Sequence, residues 1–348
     1  MKRITTILSV LFLTTFAATN VFAVSEAAVL FLLISPNARA GGMGEAFAGV
    51  ADDVSASYWN PAGLAFQEGK QFTSMYSKWL PQFNFSDLYY LFGAYRQSIE
   101  GLGTIGFNIT YINLGEQTIT EATGPEPVGK FNSNEWAFTF SYATLLSETM
   151  SVGLNVRYIR SNLSSVGAGT EKGDGQAGAF ALDIAMLKKN LFLNNLNLGL
   201  NISNIGPKIT YVDASQADPL PTNFKIGLAY RAIDQEFNRL TFAFDVNKEL
   251  VKKNKNGSTD SIIKAFISAW DNEKKNRGII YNFGAEYWYA NLIALRAGYY
   301  WDKDGNVDYL TLGAGLRYDI YQFDFGYISA GENHPLSDTM RFSLTVGQ

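Results

Sequence analysis

The sequence predicts an all-β fold, a transmembrane antiparallel β-barrel of about fourteen strands, and three observations lead to it. Apolar and small or polar residues alternate with period two along most of the chain, as they must where one strand face meets lipid and the other meets a lumen. The connections between these segments are alternately short and long. Aromatic residues make up 14% of the 348 residues, charged residues only 17%, and there are 32 glycines. An ordinary soluble domain has no use for that balance, whereas a barrel needs aromatics outside and small residues inside.

Residues 1–23 read as a secretory signal peptide. Lys2 and Arg3 form a basic start, Ile4–Ala18 an apolar run, and Val21-Phe22-Ala23 a small-residue cleavage site. The run is shorter than the roughly 20 residues that a spanning helix requires. Its removal takes two basic charges from a chain whose formal net charge is −4. No later stretch is apolar for long enough to form a transmembrane helix.

Residues 24–69 carry no period of two. Small residues crowd Ala38-Arg39-Ala40-Gly41-Gly42-Met43-Gly44-Glu45-Ala46, and Pro61 and Gly63 mark a tight turn within Asn60-Pro61-Ala62-Gly63-Leu64. Irregular backbone at membrane depth is tolerated only where protein surrounds it. The expectation is therefore an N-terminal plug or hatch inside the lumen, with Arg39, Gly41, Gly42, Met43, Gly44, Asn60, Pro61, Ala62 and Gly63 as its motif. The glycines do not form a phosphate-binding loop, which needs a following Lys-Ser/Thr and a preceding parallel strand.

Residues 70–348 read as the barrel. In Thr311–Ile320 the residues Leu312, Ala314, Leu316, Tyr318 and Ile320 point outward, and Thr311, Gly313, Gly315, Arg317 and Asp319 inward. The same rhythm gives strands near 70–77, 86–96, 103–112, 134–144, 150–161, 177–187, 194–204, 222–231, 238–247, 277–288, 292–301, 308–319, 321–329 and 339–347. Connections after even strands are short; 113–133, 162–176, 205–221 and 248–276, after odd strands, are long. Outer-membrane barrels have short periplasmic turns and longer extracellular loops. That rule sets the long loops outside the cell and both mature termini in the periplasm. Within the last of these loops Ser261–Trp270 has helical spacing, with Ile262, Ile263, Phe266, Ile267 and Trp270 apolar.

Catalytic groups are scarce. The chain has no cysteine and a single histidine, His334, set between Asn333 and Pro335 in a turn. That leaves no thiolate chemistry, no structural zinc set and no convincing triad. Inward Asp183, Asp245, Glu286, Asp319 and Asp324 face inward Arg157, Arg231, Arg296 and Arg317, and pair across the lumen more readily than they act as acid and base. No cofactor and no metal are expected. An acidic chain without a basic run is a poor partner for nucleic acid.

The Asn60–Leu64 turn ahead of the first strand resembles that of the FadL-like outer-membrane transport barrels. A closer resemblance is to the PorV/PorQ family of the type IX secretion system of Bacteroidetes, nearest to the PorV type. It is carried in order by Phe31–Gly44, Tyr58-Trp59-Asn60-Pro61-Ala62, Arg157-Tyr158-Ile159-Arg160-Ser161, Glu286-Tyr287-Trp288-Tyr289, Leu295-Arg296-Ala297-Gly298-Tyr299 and Asn333-His334-Pro335-Leu336. The resemblance implies a non-enzymatic shuttle in the outer-membrane lipid. Such a shuttle receives cargo bearing C-terminal signal domains from the translocon barrel and passes it to surface sortase-like attachment proteins. The external loops would bind the cargo, with Tyr211, Phe266, Ile267 and Trp270 as anchors by residue type. The loops are only moderate in length, so PorQ-type partners stay open. The alternatives are a FadL-like transporter of hydrophobic small molecules and a purely structural scaffold.

Overall fold

The computed structural model describes residues 27–347 apart from 84, 86, 121–123, 125, 165–174, 214, 215, 255, 256, 271–277 and 333. The expected signal peptide lies outside the described residues. Fourteen strands close into one antiparallel barrel in sequence order. They are β1 (Lys70–Lys78), β2 (Leu88–Ile99), β3 (Gly103–Thr120), β4 (Pro127–Ser147), β5 (Met150–Asn162), β6 (Gln176–Lys188) and β7 (Leu196–Ile205). The second half is β8 (Asn223–Asp234), β9 (Asn238–Glu249), β10 (Ile279–Tyr289), β11 (Ile293–Asp302), β12 (Val307–Tyr318), β13 (Tyr321–Ala330) and β14 (Met340–Gly347). Closure comes from β1 pairing with β14, Phe72 opposite Val346 and Tyr76 opposite Phe342. Among the described residues no helix is long and apolar enough to cross a membrane.

The alternation sorts as expected. On β12 Leu310, Leu312 and Leu316 are exposed, while Thr311 is buried. A ring of outward aromatics marks the long-connection end. Tyr76, Tyr89 and Tyr111 contact one another in turn across β1 to β3, and Trp136, Tyr158 and Phe180 across β4 to β6. Phe244, Tyr281 and Trp301 continue the ring on β9 to β11. Such girdles sit at the level of lipid headgroups.

Three expectations are corrected. Most of the loop expected at 113–133 is strand: β3 and β4 pair beyond the membrane band up to Thr120 opposite Pro127. The register shifts between Asn113 and Glu116, where Gly115 takes φ 79°. Above that bulge the strand reads Glu116-Gln117-Thr118-Ile119-Thr120, so the apolar alternation stops although the ladder does not. Asp319 lies in the β12–β13 turn at φ 55° and is exposed, not inward. The two ends of the described chain do not share one side. Gly347 pairs with Gln71 at the short-turn end, whereas the Ala28 N–H donates to the Pro219 carbonyl in the β7–β8 connection at the opposite end. Loop-length parity fixes where β1 begins; it is silent about the chain that precedes it.

Candidate functional site

Residues 27–69 run from the long-connection end to the short-turn end against inward side chains of the wall. The segment is built of short helical turns, Leu30–Leu33, Ala38–Gly41, Ala56–Trp59 and Pro61–Phe66. Turns this short leave most of their amides and carbonyls without helical partners, and buried ones must find them elsewhere. The wall supplies them. Inward Asn108 on β3 and Asn155 on β5 both donate to the Ser57 carbonyl. Asn201 on β7 donates to Trp59, and Asn282 on β10 to Gly44. In the other direction, the amides of Phe47 and Ala48 share one carboxylate oxygen of Asp245, each at 2.9 Å. The Gly44 amide reaches Thr311 Oγ1 at 2.8 Å, and the Ala38 amide Ser343 Oγ at 2.8 Å.

Inward glycines let these backbones meet. A Cβ on Gly298 would collide with Gly44 and Met43, and one on Gly199 with the Ala48 carbonyl. Gly44 itself takes φ 62° against β10 and β11, a conformation that favours glycine. Gly41 lies against Arg341 and Gly42 against Gly313, while Met43 is fully buried. In the Asn60 turn, Pro61 presets the first helical φ and has no N–H to leave unpaired. The Asn60 side chain accepts from the Ala62 amide and donates to the carbonyls of Ala48 and Met186. The Ala62 carbonyl accepts from Ser151 Oγ at 2.7 Å, and a Cβ on Gly63 would strike the Ala51 carbonyl. The set singled out between Arg39 and Gly63 thus meets the wall at two separate places, Arg39–Gly44 against β10 to β14 and Asn60–Ala62 against β5 and β6.

Arg39 is the electrostatic centre. Its guanidinium makes a two-pronged pair with Glu286 on β10, Nε at 2.8 Å and Nη2 at 2.7 Å, and Nη1 reaches Asp52 at 2.7 Å and Asp53 at 2.9 Å. Glu286 also accepts from Arg296 at 2.7 Å, and Arg296 pairs with Asp324 at 2.8 Å. A separate buried pair joins Arg157 to Asp183 at 2.7 Å. Arg231 and Arg317 take no part in these pairs. Arg231 pairs with Asp234 near the short turns, and Arg317 stacks on Trp288. The roles of Glu45, which binds Arg341 and Tyr309, and of Asp52 and Asp53 were not foreseen from sequence. Only their position near Arg39 in the chain hinted at them.

The lumen at the long-connection end is apolar and occupied. Val29, Phe31 and Leu32 of the N-terminal segment pack with Ile209 and Leu220 of the β7–β8 connection and with wall residues Tyr90, Phe92 and Ile159. Tyr211 belongs to this packing. Its hydroxyl donates to Ser161 Oγ at 2.9 Å, and burial pushes its pKa up to about 12. It is therefore a poor free anchor for a partner. In the β9–β10 connection a helix forms at Ile262–Ser268, within the expected stretch. Phe266 is half-buried, and Ile267 and Trp270 are exposed. Between this helix and the β7–β8 connection lies a cavity of about 280 Å³ whose apolar walls include Pro207, Leu220, Leu250, Val251, Ile262 and Ala265. Phe83 and Phe85, exposed and stacked 6.3 Å apart in the β1–β2 connection, were passed over in the sequence. His334 accepts the Leu336 amide at its Nδ1, within its own turn. Among the described residues no three His, Cys, Asp or Glu side chains group to hold a metal ion.

The family model described as "Type IX secretion system protein PorV" matches residues 17–256. The chain belongs to the PorV family. It is thus an outer-membrane protein of the type IX secretion system, and the strands are its membrane-crossing elements. The barrel is also similar in fold to solved FadL-like outer-membrane proteins. The Pseudomonas putida toluene transporter TodX aligns at TM-score 0.55 and 12% identity, covering 90% of this chain and 97% of that one. The Ralstonia pickettii toluene transporter TbuX aligns at TM-score 0.53 and 12% identity, covering 90% and 98%. A Pseudomonas aeruginosa FadL homologue aligns at 0.50 and 12%, also covering 90% and 98%. At such identity the likeness concerns the fold alone. A search of curated proteins found no match. Family and fold are those of a secretion or transport barrel.

Proposed function

We propose that this PorV-family barrel is a non-enzymatic shuttle of the type IX secretion system. It receives cargo carrying C-terminal signal domains from the translocon barrel and hands it to the sortase-like attachment proteins at the cell surface. Long connections face outside the cell, and residues 27–69 act as a plug that closes the lumen. The observation that carries the reading is a segment of the same chain tied to the inner wall by the Arg39–Glu286 pair, four inward asparagines and Asp245. Function then moves to the rim, where the β3–β4 hairpin and Phe83 and Phe85 stand free for cargo. Tyr211 stabilises the rim from within.

The test is a pull-down with purified protein and an isolated C-terminal signal domain, together with affinity isolation from native outer membrane in mild detergent. Retention of the domain and recovery of the translocon barrel support the reading. If the domain is not retained and deletion of the gene leaves secretion intact, the shuttle is wrong.

One observation favours a second reading, transport of hydrophobic small molecules: the lumen is apolar at the long-connection end. Co-purified hydrocarbon there would favour transport over shuttling.

A further inference from the structure

We infer that the Ile262–Ser268 helix and Trp270 are set into the outer leaflet of the membrane, as an interfacial wedge on the outer wall of the barrel. The first observation is direction. Trp270 packs edge-on against Phe224, ring centroids 6.2 Å apart. On β8 the residues Gly227 and Ala229 are buried and Leu228 and Tyr230 exposed, so Phe224 shares the outward, lipid-facing parity. The β9–β10 connection therefore comes down over the outside of the wall. Lys248, outward by the alternation of β9, is buried there.

The second observation is the helix's own face. Ala265 and Ala269 are buried, while Ile263, Ile267 and Trp270, at spacings of one helical turn, are exposed by 82%, 79% and 52%. Lys264 flanks that face and is held by Asp260 at 2.8 Å. An apolar face with a basic flank, beside an aromatic, is the pattern of a helix lying in the headgroup region.

The third observation is continuity with the lipid-facing surface. The aromatic girdle reaches Phe180 on β6 and resumes on β9 and β10 at Phe244 and Tyr281. Between them the wall is lower, for pairing of β6 with β7 begins only at Leu182 opposite Ile205. Phe224 and Trp270 fill that gap in the ring. Lipid, not a protein, is the occupant consistent with a patch that continues the membrane belt. The inference rests on the chain's place in the outer membrane and on the outward facing of the long connections proposed above, but not on cargo receipt, so either can fail without the other.

The chain has no cysteine, so single labels are unambiguous. Ile267→Cys, Leu312→Cys on the wall and Lys303→Cys in the β11–β12 connection are labelled with bimane and reconstituted into vesicles. The vesicles contain either brominated or ordinary phosphatidylcholine. Bimane at position 267 should be quenched several-fold by bromolipid, as at position 312, and be protected from aqueous iodide. Position 303 should show the reverse. Iodide quenching at 267 with indifference to bromolipid overturns the inference. So does protection from both quenchers by a co-purified protein. Ile263→Cys repeats the test if Ile267→Cys fails to give the compact, heat-modifiable gel band of a folded barrel.

Discussion

Replacing Arg39 by methionine keeps its length and removes its charge, and the structure sets the size of the effect. Of the three carboxylates around the guanidinium, Asp52 is 46% exposed, so its contact is screened and counts for little. Glu286 and Asp53 are buried at 3% and 12% side-chain exposure. After the substitution Arg296 is left to balance Glu286 and Asp324, while Asp53 keeps hydrogen bonds from Ser55 and the field of Arg96. Removing one partner from a buried ion pair costs about 3–5 kcal/mol. That raises the population of states with residues 27–69 released from the wall by roughly 140- to 4,000-fold. The barrel's own strand ladders are untouched, so gel mobility of the folded barrel should persist. Limited proteolysis should cut residues 27–69 faster, and conductance across a planar bilayer should rise. Arg39→Lys, which keeps the charge but loses the fork, should fall between. Wild-type proteolysis and conductance in the methionine variant would refute the view that this cluster fastens the segment.

Gly298→Val should release the segment by overpacking, at a cost of about 1–3 kcal/mol or more, because the added carbons strike Gly44 and Met43. Gly331→Val, with open space around it, should leave proteolysis unchanged. Asn60→Ala removes one acceptor and two donors from buried partners, so a loss of about 1–3 kcal/mol should appear as a lower melting temperature in detergent. Asp260 is held below the usual carboxylate range by hydrogen bonds from Asn254, Lys264 and Ser268. A depressed folded value means its contribution is complete above the unfolded pKa of about 3.9 and is lost as pH falls through the folded one. A label at Ile267 should therefore report a constant environment from neutral pH down to about 4, with change only below that. Phe31→Ala with Leu32→Ala should enlarge the apolar space at the long-connection end and bind more of a hydrophobic dye than wild type does; equal binding by both would refute it.

The wall was legible because its period is imposed by two solvents. Leu312 and Leu316 must face lipid and Thr311 must not, and that demand is written residue by residue. Where the demand ends, so does the legibility. Beyond Gly115 the apolar alternation is gone, and backbone pairing alone, which leaves little mark on composition, continues the β3–β4 hairpin to Thr120. The lumenal segment was legible in kind, from its small residues and the Asn60–Leu64 turn, but not in its contacts. Parity placed Glu286 and Arg296 inward without pairing them. The bond of Glu286 to Arg39, 247 positions away, depends on how an irregular segment is threaded, and no periodicity encodes that.

The segment's contacts also explain why large apolar residues in a loop need not be binding anchors. An anchor contributes to affinity only if its area is free before the partner arrives. Tyr211 meets that condition only in part, because its half-buried ring packs against the cluster that holds Ile209, Leu220, Phe31 and Leu32, and its hydroxyl is bound to Ser161. Ile267 and Trp270 fail it for another reason, since a membrane beside Phe224 would already cover them. The β7–β8 connection beside the rim is held from both sides. The β7–β8 connection is fastened to the lumenal segment through Ala28 and Pro219, and to the β9–β10 connection through Lys208 and the Thr259 carbonyl. A surface fixed in this way loses little conformational freedom on binding, and that saving favours affinity as directly as added contact area does. Fixing the rim requires the lumen to be filled beneath it. The contacts that hold residues 27–69 against the wall and those that fix the β7–β8 connection are thus parts of one set.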